Sequence, residues 1–104
     1  MAGVLEGVTV IELAGIGPAP FCGMMLADQG ADVIKVESPG LGDIMRFLGT
    51  SKGGMTGIFA NNNRGKRSIV VDLKQQAGKE LVLQLIDGAD VLMVTAQHLP
   101  QVPE

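Results

Sequence analysis

The sequence predicts an α/β fold, a partial Rossmann-like domain with a mostly parallel sheet flanked by helices. Short apolar runs alternate with helical patterns along the chain, as expected for parallel strands joined by helical crossovers. The runs are apolar on both faces, which is typical of strands covered by helices on both sides of a sheet. With 104 residues, the chain is long enough for one small domain. We expect that domain over residues 1–96 and an irregular tail over residues 97–104.

Four strands are predicted, each rich in Val, Ile or Leu. Glycine, proline or serine residues lie close to most of their ends, and such residues commonly interrupt strands. The strands cover Val8 to Leu13, Asp32 to Glu37, Ser68 to Leu73 and Val91 to Val94.

Two helices are predicted between these strands. The first runs from Phe21 to Gln29, because Pro20 suits a first helical turn and Gly30 suits the position after a helix end. The second runs from Gln76 to Asp87, where apolar residues recur at the spacing of an amphipathic helix.

The stretch from Pro39 to Arg67 shows little periodicity and contains seven glycines. A segment of this length without regular structure is usually functional or mobile. We therefore predict an irregular loop here.

The composition argues against several classes of protein. The formal net charge is −3 and the only aromatic residues are three phenylalanines, so neither charge nor base stacking favours nucleic-acid binding. No apolar run reaches the length of a membrane span, and the first residues lack the basic region of a signal peptide. We therefore expect a cytoplasmic protein with no nucleic-acid or membrane partner.

Cysteine and histidine are too sparse for a disulfide or a metal site. Cys22 is the only cysteine, and His98, the only histidine, has no ligand-type residue at metal spacing. We predict that Cys22 is a small buried apolar residue. The run from Met24 to Leu26 is likewise predicted to pack in the core.

The segment between the first strand and the first helix is a candidate ligand-binding turn. Gly15 and Gly17 match the first two glycines of the GxGxxG dinucleotide fingerprint, and Glu37 stands where a ribose-binding acid would be. Pro20 replaces the third glycine, and neither Pro18 nor Pro20 can offer an N–H to a pyrophosphate. A nicotinamide or flavin site is therefore only a weak second interpretation of this turn. The structural alternative is a tight strand-to-helix turn that binds no ligand.

A second candidate is the basic region around Asn61 to Ser68, followed by Asp72 to Lys74. Seven of the eight Lys and Arg residues lie between Arg46 and Lys79, with Asp72 the only acid among them. Guanidinium and ammonium groups are the usual partners of phosphate, so this region suits an anionic small ligand. A solvated basic loop is the alternative.

Several motifs in order resemble the amino-terminal part of family III CoA-transferases and α-methylacyl-CoA racemases. The resemblance extends from Leu5 to about Val94. The motifs are LEGVTVIELAGIGPAP at 5–20, LADQGADVIKVE at 26–37, the pair Gly42-Asp43, NRGKRS at 63–68 and DLK at 72–74.

The resemblance implies a domain that binds CoA or acyl-CoA as a substrate, with no covalently bound cofactor. It also implies a partner, either a second copy in a homodimer or the remainder of a longer enzyme. Ser38 stands where relatives often have a basic residue that contacts CoA phosphates. The residues implied to contact CoA are Gly15, Ile16, Gly17 and Pro18 after the first strand and Val71, Asp72, Leu73 and Lys74 after the third. The basic region adds Arg64 and Arg67 as phosphate partners.

The family's catalytic residues have no counterpart in this sequence. Relatives carry a catalytic carboxylate, or a His with acids, well downstream, and residues 94–100 do not match their aromatic-Arg-Pro-Gly turn. We therefore expect an amino-terminal fragment of an acyl-CoA-processing enzyme, inactive alone, with racemase or transferase left open. The alternatives are a non-catalytic interaction domain, with a partner on the sheet edge after Val94, and a dinucleotide-binding domain with a modified glycine fingerprint.

Overall fold

A computed structural model of the chain describes residues 3–13, 15 and 18–94. A four-stranded sheet and a small hairpin account for the strands in this part of the chain. The elements in order are β1 (Thr9–Leu13), α1 (Pro18–Asp28), β2 (Asp32–Glu37), a 3₁₀ helix (Ile44–Phe47), β3 (Ser51–Lys52), β4 (Met55–Thr56), α2 (Gly57–Asn62), β5 (Arg67–Val70), α3 (Gln76–Asp87) and β6 (Val91–Met93).

The main sheet has the order β5-β2-β1-β6, and all of its strand pairs are parallel. Counted by their sequence order within this sheet, the strands stand in the order 3-2-1-4 of a Rossmann fold. Asp90 extends the pairing between β1 and β6 at the amino ends of these strands. Its backbone N–H donates to the Thr9 carbonyl, and its carboxylate accepts the Thr9 N–H, each at 2.9 Å. The predicted fold class is confirmed.

The two faces of the sheet are covered by different helices. On one face, Val82 of α3 packs in a cluster with Ile11 and Val36. On the other face, Leu26 of α1 packs against Val10 and Val33. Because successive strand residues point to opposite faces, Val10 and Ile11 belong to apolar clusters on opposite sides of the sheet. The strands therefore have the doubly covered environment that their composition predicts.

The predicted irregular loop is wrong, because the 39–67 segment contains a 3₁₀ helix, a hairpin and α2. Polar side chains and glycines specify these short elements. The Asp43 carboxylate accepts the Met45 N–H at 2.9 Å. The Thr56 hydroxyl accepts the Phe59 N–H and donates to the Met45 carbonyl at 2.6 Å. Gly53 and Gly54, both at positive φ, form the hairpin turn.

Several predicted boundaries differ from the structure. Helix α1 begins at Pro18, three residues before the predicted start at Phe21, because proline is well suited to a first helical turn. The third strand of the sheet covers Arg67–Val70 and ends before the predicted Leu73. The predictions for Asp32 to Glu37 and for Gln76 to Asp87 are confirmed.

Two predictions for side chains of α1 are wrong. Cys22 is exposed, and Met25 is 46% exposed, whereas Met24 is buried. Helix α1 is apolar on every side, so its sequence does not reveal which side faces the sheet. Ala19, Pro20, Gly23 and Met24 form the buried side. The predicted tail at 97–104, the domain boundary at residue 96 and His98 lie outside the described residues.

Within the described ranges, none of the helices combines the length and apolar character needed to cross a bilayer. The same residues contain no group of three or more His, Cys, Asp or Glu side chains arranged to hold a metal ion.

Candidate functional site

The candidate ligand-binding residues lie along the carboxyl edge of the sheet. Gly15, which is buried, follows the end of β1, and Pro18 begins α1. Residues 71–74 follow the end of β5 and lead into α3. Because all four strands are parallel, both segments are at the same edge. One strand, β2, separates β1 from β5, so the strands that lead into the two segments are two strand spacings apart, about 10 Å.

The turn after β5 is held by its own backbone and by β2. The Val71 N–H donates to the Glu37 carbonyl at 2.9 Å. The Asp72 carboxylate accepts the Lys74 N–H at 3.0 Å, and the Asp72 carbonyl accepts the Gln75 N–H at 3.2 Å. Lys74 is exposed. The turn therefore presents an ammonium group at the carboxyl edge.

Gly78 allows α3 to approach this turn closely. A Cβ at position 78 would lie 2.0 Å from the Asp72 carbonyl oxygen, so no side chain fits there without a shift. The first turn of α3 is thereby held against the turn at 72–74.

The order of the sheet reverses at β1, which has β2 on one side and β6 on the other. In open parallel sheets, ligands bind outside the carboxyl ends of the strands at such a reversal. Gly15 lies at this point. Ile16 and Gly17, which are also predicted to contact the ligand, lie outside the described residues.

A buried network of alternating charges lies beneath the edge, on the face of the sheet that α1 covers. Glu12 of β1 and Lys35 of β2 are directly paired in the strand register. The Lys35 ammonium lies 2.9 Å from a Glu12 carboxylate oxygen and 2.6 Å from a carboxylate oxygen of Asp43. The Lys66 ammonium lies 2.8 Å from the other Glu12 oxygen. All four side chains are at most 2% exposed, and their charges balance.

Lys66 has further partners besides Glu12. Its ammonium donates to the Pro20 carbonyl and to the Asn63 side-chain oxygen, at 2.8 Å each. Burial is the largest influence on this group and lowers the pKa of Lys66, while the hydrogen bond to Glu12 acts in the opposite direction. The cation therefore depends on these oxygen partners for its stability inside the protein.

Glu37, the candidate ribose-binding acid, is buried and fully engaged by the protein. One carboxylate oxygen accepts the Asp43 N–H and the Arg46 Nε–H, each at 2.7 Å. The other accepts a second Arg46 N–H at 2.8 Å and the Ser68 hydroxyl. The Arg46 guanidinium is the main cause that lowers the pKa of Glu37 to about 2. The dinucleotide-binding interpretation requires Glu37 to bind the ribose, and both of its carboxylate oxygens are already bonded within the protein.

Arg64 and Arg67 lie away from the carboxyl edge. Each guanidinium makes two hydrogen bonds with one carboxylate, Arg64 with Asp28 at the end of α1 and Arg67 with Asp32 at the start of β2. Both sites are near the amino ends of the strands. The structure thus does not bring either arginine together with Lys74, and phosphate binding would require an ion pair to open.

The buried charge network is the main feature of this region that the sequence patterns do not predict. One signal was present in the sequence. Each of two neighbouring strands carries a charged residue with apolar residues on both sides of it, Glu12 in TVIEL and Lys35 in DVIKVE. Opposite charges at equivalent places in neighbouring strands indicate a pair across the sheet.

An open parallel sheet in this order, covered by helices on both faces, defines a Rossmann-like α/β domain. The chain belongs to CoA-transferase family III, whose family model matches residues 5–98. The resemblance seen in the sequence motifs is therefore confirmed.

Similar proteins include two enzymes and one solved structure. The succinate–glutarate CoA-transferase of Agrobacterium fabrum is 47% identical over 86% of this chain and 24% of its own length. The α-methylacyl-CoA racemase of Homo sapiens is 42% identical over 86% of this chain and 20% of its own length. A CAIB/BAIF family protein from Brucella suis matches with a TM-score of 0.81 and 44% identity over 88% of this chain and 25% of that one. The chain thus spans about a quarter of the length of these relatives or less.

Proposed function

We propose that this chain supplies part of the CoA-binding site of an acyl-CoA-processing enzyme. The observation that supports this most directly is the placement of Gly15 and the 71–74 turn at one edge of a Rossmann-ordered sheet. Family membership adds the ligand class, because CoA-transferases act on CoA thioesters. CoA or acyl-CoA is then a substrate, and no covalently attached cofactor is required.

The two segments suit different parts of the CoA nucleotide. Without a side chain, Gly15 allows the CoA nucleotide to approach the backbone after β1 closely. Asp72, Leu73 and the exposed Lys74 would lie along the adenosine end, where the Lys74 ammonium can pair with a phosphate. The separation of about 10 Å between the strands that lead into the segments is suited to an extended nucleotide rather than to a small anion.

The proposal assigns carrier binding to this chain and no catalytic residue. A relative named as a CoA-transferase and one named as a racemase each match over 86% of this chain. These enzymes share a CoA thioester and differ in what they do to the acyl group. The residues that bind the shared carrier are therefore the part of the function that this chain can supply, and a second copy or further chain would complete the site.

Calorimetric titration with CoA tests this proposal. We expect saturable binding to the unaltered chain and about tenfold weaker binding to Lys74→Ala, because one charge-assisted hydrogen bond is lost. Lys52→Ala is the matched control, since Lys52 is an exposed lysine of β3 outside the proposed site. Arg67→Ala is expected to bind as the unaltered chain does, because its guanidinium pairs with Asp32 near the amino ends of the strands.

Two outcomes would contradict the proposal. One is an unaltered, folded chain that shows no saturable CoA binding. The other is a chain that NADH stabilises against thermal unfolding while CoA does not, which would favour the dinucleotide-binding alternative.

A further inference from the structure

We propose that Lys66 is a positioning residue for CoA binding, which holds together the end of β1 and the start of α1, the two elements that flank the candidate CoA-binding turn. This inference rests on the proposed function, because it assumes that this turn holds part of the CoA nucleotide. It concerns a side chain that is itself 2% exposed and is not one of the proposed ligand contacts.

Lys66 connects the two elements that flank the turn. Its ammonium contacts both carboxylate oxygens of Glu12, at 2.8 and 3.0 Å, near the end of β1. The same ammonium donates to the Pro20 carbonyl, at 2.8 Å, in the first turn of α1. Because one group is bonded on both sides, the end of the strand and the start of the helix cannot separate without losing a charge-assisted hydrogen bond.

The position of this ammonium is itself fixed from the far side. The Asn63 side chain accepts a hydrogen bond from Lys66 at 2.8 Å and donates one to the Phe59 carbonyl at 2.9 Å. Gly65, at a φ of +79°, makes the tight turn that directs Lys66 inward. The anchor of the candidate CoA turn therefore lies in the 39–67 segment, which is remote from it in sequence.

The composition of the first turn of α1 explains why such an anchor is useful. Prolines at positions 18 and 20 remove backbone N–H groups from the first turn of α1, and these groups often orient a helix start through capping bonds. A bond from Lys66 to the Pro20 carbonyl supplies an external constraint in their place. A site whose flanking elements are held in place before the ligand arrives binds it more tightly, since less conformational entropy is lost on binding.

Two variants separate positioning from a general effect on folding. Lys66→Met removes the cation but leaves Glu12 and Asp43 in the core with only Lys35, so we expect reduced stability. Glu12→Gln with Lys66→Met removes one charge of each sign and leaves Lys35 paired with Asp43. We expect this double variant to recover most of the lost stability in urea unfolding, because no net buried charge remains.

CoA affinity and local hydrogen exchange are the decisive measurements. The double variant lacks the bond to Pro20, so we expect CoA binding about tenfold weaker than in the unaltered chain. We also expect faster amide exchange in the peptide covering residues 13–24 and unchanged exchange in β2. Lys52→Met, the same change at an exposed lysine of β3, is the matched control and should alter neither quantity.

The outcomes distinguish this inference from the proposed function. If the double variant regains its stability and also binds CoA like the unaltered chain, Lys66 is only structural and the inference is wrong, while the proposed function stands. If the unaltered chain fails to bind CoA, the proposed function fails and the inference fails with it.

Discussion

At the scale of single residues, Gly23 determines how closely α1 approaches the buried charge network. A Cβ at this position would lie 2.0 Å from a Glu12 carboxylate oxygen and 3.3 Å from the Lys66 Cε. Real Cβ atoms do not approach an oxygen so closely, so either the helix or the charged pair would have to move. Glycine is therefore required here by space and not by backbone conformation.

We predict that Gly23→Ala lowers the free energy of unfolding by about 1–3 kcal/mol, the usual cost of overpacking a core. Urea unfolding followed by circular dichroism measures this change. Gly57→Ala is the control, because nothing lies within 4 Å of a Cβ there, and alanine favours a helix. Equal effects at both positions would show that the close contact at Gly23 is unimportant.

The sequence predicts residues well where a single strand or helix decides their environment. The apolar composition of β1 and β2 correctly indicates buried strands. The composition of these strands does not indicate that Lys66 also contacts Glu12. Lys66 is distant in sequence, and its contact with Glu12 depends on the path of the 39–67 segment. For the same reason, the basic residues of the NRGKRS motif read as phosphate ligands, although the structure gives each of them a carboxylate partner.

At the scale of elements, ion pairs attach the 39–67 segment to the sheet. Arg46 of the 3₁₀ helix binds Glu37 at the end of β2 with two hydrogen bonds. The Arg46 guanidinium also lies 4.0 Å from the ring centroid of Phe59 in α2, a favourable cation–π distance. The 3₁₀ helix, β2 and α2 thus meet at one guanidinium, so their packing depends on the ionised form of Glu37.

This attachment should weaken in acid. The pKa of Glu37 is lowered from 4.5 to about 2 in the folded protein, with Arg46 the main cause. An acid with a lowered folded pKa contributes stability that is complete above about pH 4.5 and is lost as the pH falls toward 2. We predict that the unfolding free energy of Glu37→Gln falls less steeply as the pH is lowered across this window. The slope should decrease by the contribution of about one proton, because the variant lacks the carboxylate that takes up a proton on unfolding.

Urea titrations at several pH values between 2 and 6 test this prediction, with the window set by the pKa values above. Glu80→Gln on α3, where the glutamate is exposed, is the control and should keep the slope of the unaltered chain. A slope that Glu37→Gln leaves unchanged would mean that another group causes the acid sensitivity.

Element prediction failed where periodicity carried no information. The short elements of the 39–67 segment depend on the side chains of Asp43 and Thr56 and on glycines at positive φ, features that a search for apolar repeats does not detect. In α1 the difficulty is the reverse. Its residues are apolar on every side, so the helix is evident from the sequence, but its buried side is known only once the sheet is in place.

At the scale of the whole molecule, several large apolar side chains remain exposed in the 39–67 segment. They are Leu41, Ile44, Phe47, Met55 and Ile58, with exposed fractions between 42% and 72%. The sheet also has two open edges in the described part of the chain, β5 and β6. Exposed apolar residues and unpaired strand edges both promote association between molecules.

We therefore predict that the isolated chain self-associates as its concentration rises. Phe47→Ser should shift sedimentation velocity profiles toward the monomer, because Phe47 is 59% exposed at the end of the 3₁₀ helix. Val4→Ser, the same polar change at a residue that is 86% exposed and outside that segment, is the control. A monomer at every concentration would contradict the prediction.

The pairing of Asp90 with Thr9 has a consequence for synthesis on the ribosome. These residues are 81 positions apart, and their hydrogen bonds belong to the pairing of β6 with β1. We expect β1, β2 and β5 to assemble while translation continues, since their pairings span shorter stretches of chain. Until β6 has left the exit tunnel, one side of β1 has no neighbour. During that interval the nascent polypeptide exposes a central strand that a chaperone could protect.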